Sequence, residues 1–149
     1  MEFDIVFLKS PSDGSCFFHC LEQALEIKDL RRRLREYIIC NEEVFEIDKN
    51  VKEQIMSSGS VDSSIFGFVS KVLHIFILVL MKEGKRYLIY PAESYYNNEE
   101  LSLLKKRDHV VLYFTFGHYD LVGTTEPNGK IKKVFSYDDS FIKGIKSLV

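Results

Sequence analysis

The chain has 149 residues, enough for one ordinary domain with a real core and too few for two of typical size. Residues 1–149 are therefore expected to form a single domain, and 46% hydrophobic with 28% charged residues is the balance of a soluble globular protein. A formal charge of −2 offers no basic field, which argues against nucleic acid as a partner.

The opening Met1-Glu2-Phe3-Asp4 is acidic and has neither the basic start nor the apolar middle of a signal peptide. Phe3 to Leu8 predicts a short, mostly buried first strand. Lys9 to Ser15 is a loop, with Pro11 as punctuation and Asp13-Gly14 as a turn signal. From Cys16 to about Ile27 the pattern is helical, with Phe17, Leu21 and Ala24 on one face. Asp29 is expected to cap a second helix through Leu30, Leu34, Tyr37, Ile38 and Val44. In that helix Arg31-Arg32-Arg33 reads as a solvated face and Cys40 as part of the buried stripe. A third, weaker helix covers Asp48 to Met56.

Ser57 to Ser60 is a loop in composition and too short to separate domains. A helix follows from about Ser63 to Leu73. The β-rich run Ile75 to Met81 comes next, far short of the ~20 residues that span a bilayer, so no membrane association is expected. Lys82 to Lys85 reads as a hairpin turn, Tyr87 to Tyr90 as the returning strand, Pro91 to Asn98 as a loop and Glu99 to Lys105 as a short helix. His109 to Phe116 has the composition of a central strand, its aromatics Tyr113, Phe114 and Phe116 belonging to core and sheet surface. Gly117 breaks it, His118 to Val122 is another strand, and Pro127-Asn128-Gly129 turns into a last strand around Ile131 to Tyr137. A helical first half and a β-rich second half make an α+β fold.

The chemistry starts at Cys16. A helix N-terminus carries unpaired backbone N–H groups and a partial positive charge, which favour a thiolate over a thiol. The same N–H groups suit an oxyanion forming on a carbonyl under attack. A cysteine nucleophile also needs a base, and the base an orienting group. His19 lies on the same helix, awkwardly placed to reach back over its start. His74 and His109 sit at the mouths of apolar strands and read as satisfied structural residues. His118 differs: residues i and i+2 of a strand share a face, so His118 and Asp120 point one way and Tyr119 the other.

Cys20, one turn after Cys16, reads as core. Three cysteines, all in the first third, are too few and too clustered for a disulfide framework, which suggests free thiols in a reducing cytoplasm. Cys16, His19 and Cys20 lack a second pair of soft ligands, so no metal is expected.

Asp13-Gly14-Ser15-Cys16-Phe17-Phe18 closely resembles the Asp-Gly-x-Cys-aromatic-aromatic box of the ovarian-tumour (OTU) cysteine proteases. Their catalytic histidine usually lies in a late His-Tyr-Asp/Asn segment, as His118-Tyr119-Asp120 does here. Leu30-Arg31 through Tyr37-Ile38 resembles the family's second helix, and Ser63 to Leu80 its helix followed by an apolar strand. The resemblance runs from about residue 3 to residue 137. It implies a papain-like OTU fold, α/β (α+β), with a small central, twisted, mostly antiparallel sheet packed between helices. It also implies a thiol hydrolase cutting after the C-terminal glycine of ubiquitin, polyubiquitin or a ubiquitin-like modifier.

By position, Cys16 is then the nucleophile, His118 the general base and Asp120 the third member. Asp13 sits in the loop that shapes the oxyanion hole, and Gly14 and Ser15 of that loop meet the substrate. Phe17 and Tyr119, adjacent in sequence to the catalytic pair, are expected to line the channel for the modifier's Gly-Gly tail. No cofactor is implied, and a monomer is expected. Many members of the family carry a Trp-Gly or similar aromatic-Gly segment before the third helix; this chain has no Trp and reads Val61-Asp62-Ser63-Ser64-Ile65-Phe66-Gly67 there, which leaves linkage preference open. Two rivals stand beside this reading: a virus- or parasite-encoded protease that also processes its own polyprotein, and a ubiquitin-binding module without turnover.

Overall fold

A computed structural model of the chain describes residues 4–43, 46–90 and 102–147, without the side chains of 86–90. Strand β1 (Ile5–Leu8) leads through a loop to α1 (Cys16–Leu25), α2 (Leu30–Asn41) and α3 (Lys49–Met56). A 3₁₀ turn over Ser63–Ile65 runs into α4 (Phe66–Leu73). The second half supplies β2 (Ile75–Glu83), β3 (Arg86–Tyr90), β4 (Asp108–Thr115), β5 (His118–Thr125), the short β6 (Ile131–Lys132) and a final helix, α5 (Ser140–Lys146). The predicted loop at Pro91 to Asn98 and Val44 of the second helix lie outside the described residues, and 102–104 is helical.

One sheet carries the strands in the order β1, β5, β4, β2, β3, with β6 added alongside the end of β5. Among the described strands only β2 and β4 run parallel; the other pairings are antiparallel. The fold is thus mixed α/β, a mostly antiparallel sheet flanked by helices, as expected. β4 is central, and β2 is buried continuously from Ile75 to Leu80, the mark of a strand covered on both faces. Among the described residues β1 pairs only with β5. As an edge strand it is not mostly buried: Phe7 is 44% exposed.

Helix ends are satisfied in two ways. Asp48 caps α3, its Oδ1 accepting from the N–H groups of Asn50 at 2.9 Å and Val51 at 3.2 Å. Asp29 does not cap α2. Its backbone is left-handed and its side chain forms no cap bond; the carboxylate pairs with Arg32 instead, at 3.2 Å. The cap comes from α1, where Glu22 Oε2 accepts the Leu30 N–H at 3.1 Å. The buried stripe of α2 is Leu30, Arg31, Leu34 and Ile38. Cys40 falls off that stripe and is exposed.

The last strand is shorter than the predicted Ile131 to Tyr137. After Lys132 the chain leaves the ladder and touches it again only at Phe135, bridged to His109. It then forms α5, a helix absent from the elements expected above. Asp139 caps α5, accepting the Phe141 N–H at 2.8 Å, and Phe141, Ile142 and Ile145 are buried.

α5 also closes over His109. The ring Nδ1–H donates to Arg107 O at 2.9 Å, Nε2 accepts from Lys146 Nζ at 3.5 Å, and the ring packs on Phe76. Burial holds its pKa below the ordinary 6.5. The native state therefore resists a proton that the unfolded chain accepts, and the stability this confers is present above about 6.5 and lost as pH falls. The unfolding free energy from urea titrations is expected to drop between pH 7 and 5 by at most about 1.4 kcal/mol per pH unit for this one proton. His109→Asn, which keeps a donor toward Arg107 O, should flatten that part of the slope.

Candidate active site

Two turns of chain meet at one end of the sheet. The first is the loop before α1. Pro11 and Gly14 stop the preceding strand from extending, and Ser15 is the residue at which helical structure begins. Its carbonyl accepts the His19 N–H at 3.0 Å, so Cys16 is the first residue of α1. The backbone N–H groups of the helix's first turn have no partner within it. The second is the tight β4–β5 turn, where Thr115 faces His118 across the two residues Phe116 and Gly117. Both have positive φ, 48° and 79°, the geometry of a type I′ hairpin. Phe116 is fully exposed at its tip, not part of the core or sheet surface.

β5 presents His118 and Asp120 on one face. His118 Nε2 is hydrogen-bonded to Asp120 Oδ1 at 2.9 Å. The same oxygen accepts the Ser10 N–H at 3.1 Å, and Oδ2 faces Lys9 Nζ at 3.5 Å. Asp120 is thus a buried carboxylate (7% exposed) with its acceptors occupied. Since Asp120 takes Nε2, Nδ1 is the nitrogen open for base chemistry; it has no hydrogen-bond partner among the described residues.

Cys20 joins the two turns. Its thiol donates to Tyr119 O at 3.4 Å and lies 3.9 Å from Ser10 Oγ, while Ser10 Oγ donates to the same carbonyl at 2.6 Å. The first turn of α1 is therefore seated on the residue between His118 and Asp120. Burial pushes the Cys20 thiol up to about 12, so it stays protonated and structural, in keeping with its reading as core. Cys16 is 5% exposed and forms no hydrogen bond to His118 in this structure.

Asp13 organises the loop. Its Oδ1 accepts the Ser15 N–H at 2.8 Å and Oδ2 meets His19 Nε2 at 3.2 Å. The Ser15 N–H holds the carboxyl below its usual range against desolvation, with help from His19. His19 is not a bystander: its Nδ1 meets Glu22 Oε1 at 2.9 Å. Partial burial opposes its charge, but the bonds to Glu22 and Asp13 outweigh that and raise its pKa. It ties the loop to α1.

Phe17 and Tyr119 do not line a channel. Phe17 is 1% and Tyr119 3% exposed, and both belong to an aromatic cluster under the site. Phe17 stacks on Phe66 at 5.0 Å and meets Tyr119 edge-on at 5.6 Å. Along β5, alternation sets Tyr119 on the face opposite His118 and Asp120, and Phe17 lies in the core beside Cys16 and Phe18, which are buried too. Arg31 departs from the solvated face expected of its run: it is 7% exposed and reaches the Asp13–Ser15 loop. Arg32 and Arg33 are the solvated members of that run. No group of His, Cys, Asp and Glu side chains among the described residues is arranged to hold a metal ion.

No family model and no curated protein matches this chain. It is similar to the solved structure of an ovarian-tumour (OTU) domain in complex with ubiquitin. The two share 18% identity and a TM-score of 0.63, over 97% of this chain and 81% of the other. At that identity the likeness shows a shared OTU fold.

Proposed function

We propose that the chain is an OTU-type cysteine deubiquitinase, acting in the cytoplasm on ubiquitin, polyubiquitin or a ubiquitin-like modifier. The observation that carries the reading is the His118–Asp120 pair at 2.9 Å, held at the end of the sheet where α1 begins with Cys16. The likeness to an OTU domain that binds ubiquitin supports the substrate class. An exposed aromatic, Phe116, beside the base suits a protein surface better than a small charged molecule.

In this reading His118 Nδ1 takes the Cys16 proton, and the thiolate attacks the carbonyl carbon of the modifier's terminal glycine. The tetrahedral oxyanion is met by backbone N–H groups of the loop and helix start. His118 then gives its proton to the departing lysine amine, leaving a thioester on Cys16. Water attacks the thioester, His118 takes the water's proton and returns it to the Cys16 sulfur as the modifier's carboxylate leaves. Asp120 fixes the ring with Nε2 as the donor and stabilises the imidazolium.

Incubation with ubiquitin bearing a C-terminal electrophile tests this directly. Wild type is expected to form a covalent adduct that Cys16→Ala abolishes, and to lose cleavage on His118→Ala. A wild-type protein that binds ubiquitin without reacting would establish the binding-module rival; one that ignores ubiquitin and ubiquitin-like probes alike would end the deubiquitinase reading.

A further inference from the structure

Arg31, in the first turn of α2, is a buried cation that no carboxylate neutralises within ion-pair distance among the described residues. Its hydrogen bonds go to backbone and hydroxyl oxygens. Nη2 donates to Gln54 O at 2.7 Å, Gly59 O at 2.9 Å and Ser57 Oγ at 3.3 Å, and Nε to Ile55 O at 3.3 Å. Nη1 donates to Gly14 O at 3.1 Å and Ser15 Oγ at 3.0 Å. The guanidinium carbon lies 4.8 Å from the Phe18 ring centre, a favourable cation–π distance. One side chain therefore locks the end of α3, the loop after it and the loop before Cys16 into one body.

Its effect on the Gly14–Ser15 peptide is specific. Arg31 holds that peptide's carbonyl, and Asp13 Oδ1 holds its N–H at 2.8 Å. A peptide is planar, so bonds at both ends stop it from rotating. On either side lie the N–H groups of Gly14 and Cys16, neither of which has an acceptor among the described residues. Each belongs to a peptide joined to that fixed plane through a single Cα, so holding the plane limits where they can point.

We propose that Arg31 is a positioning residue for the reaction: by clamping the Gly14–Ser15 peptide it aims the Gly14 and Cys16 N–H groups at the oxyanion. This rests on the cysteine-protease reading and adds to it a residue that touches neither substrate nor nucleophile. Lysine is a poor substitute, since a point charge on a flexible stem cannot reproduce the planar fork that reaches all of these oxygens together.

The test uses the intact chain with Arg31→Lys and Arg31→Gln, and Ser15→Ala as a milder variant that removes one of the two loop bonds. Three quantities are read: hydrogen exchange at the Ser15 amide, alkylation of Cys16 by iodoacetamide resolved by mass spectrometry, and hydrolysis of a ubiquitin C-terminal amide. In Arg31→Lys, Ser15 exchange should quicken about tenfold while amides in the middle of α1 keep their protection. Alkylation forms no oxyanion and should stay within about threefold of wild type. Hydrolysis should lose about 100-fold in kcat with KM little changed, the scale of a misplaced oxyanion donor.

Unchanged Ser15 exchange, or unchanged kcat in a wild type that does hydrolyse, overturns the role of Arg31 alone. A parallel fall in alkylation, hydrolysis and α1 protection also overturns it, since that is the mark of a merely structural residue. If wild type hydrolyses no modifier amide, the protease reading falls first and this role with it. Should Arg31→Gln and Arg31→Lys fail to fold, Ser15→Ala decides, with about a tenfold loss in kcat expected and no loss overturning.

Discussion

Asp120→Ala is expected to lower kcat by roughly 10³- to 10⁴-fold, and Asp120→Asn by only about tenfold. The asymmetry comes from Ser10. Oδ1 of Asp120 accepts both the His118 Nε2–H at 2.9 Å and the Ser10 N–H at 3.1 Å. A backbone N–H cannot turn away, and it accepts nothing. In the asparagine variant the amide must therefore put its oxygen, not its NH₂, at that position. His118 then still donates from Nε2, and Nδ1 stays available as the base. What is lost is the carboxylate's charge, and a neutral acceptor is about half as strong as a charged one. The asparagine NH₂ would face Lys9 Nζ, whose side chain is largely exposed and free to move off. Alanine leaves the imidazole with neither tautomer nor orientation fixed. Steady-state kinetics of the two variants decide the matter: equal losses would mean that the charge, and not the held orientation, is what Asp120 supplies.

That pair of residues was legible because its geometry is local. Period-two alternation in a strand puts His118 and Asp120 on one face from sequence alone, and Gly117 marks the turn that ends β4. The start of α1 was equally local, written in the Pro11 to Gly14 punctuation. The same adjacency misled for Phe17 and Tyr119. Adjacency in sequence says nothing of what a side chain reaches, and here both lie in the core. Arg31 was opaque for a different reason. Its partners at Gly14 and at Gln54 to Gly59 lie 17 to 28 positions away, so only the folded chain reveals that a run of three arginines contains one buried member. Glu22 as the cap of α2 was hidden in the same way, by a partner in another helix. α5 carries its signals locally: Asp139 before Phe141, Ile142 and Ile145 is a cap followed by a helical apolar face. The exposure of Phe7 comes from sheet order, which places β1 at the edge, and order is set by long-range pairing that no local pattern encodes.

Gly14→Ala is expected to remove activity by about 100-fold or more and to cost about 1–3 kcal/mol of stability. The reason is space, not backbone conformation. A Cβ built on Gly14 would stand 2.3 Å from Ser58 O, 2.9 Å from Gly59 C and 3.1 Å from Gly59 Cα. All three are backbone atoms, so no side chain can swing aside. Nor is the opposing loop free to retreat: Arg31 holds Gly59 O at 2.9 Å, and Arg35 Nη2 donates to Ser57 O at 2.6 Å. To reach ordinary contact the two loops must part by about 1 Å, a displacement of the size that costs about 100-fold when it falls on a catalytic group. The loop that moves carries Asp13 and Ser15 and ends at Cys16. Urea unfolding measures the stability loss, and kcat/KM on a ubiquitin amide measures the rest. A second substitution separates the two effects. Gly59→Ala, whose added Cβ would have its nearest neighbour at 3.9 Å, the Ser57 Oγ, changes a glycine of the same contact without crowding it. It should leave kcat/KM within about twofold of wild type, as surface changes away from strain do. If Gly59→Ala proved as damaging as Gly14→Ala, flexibility of the loops, and not the close approach at Gly14, would be what the site depends on.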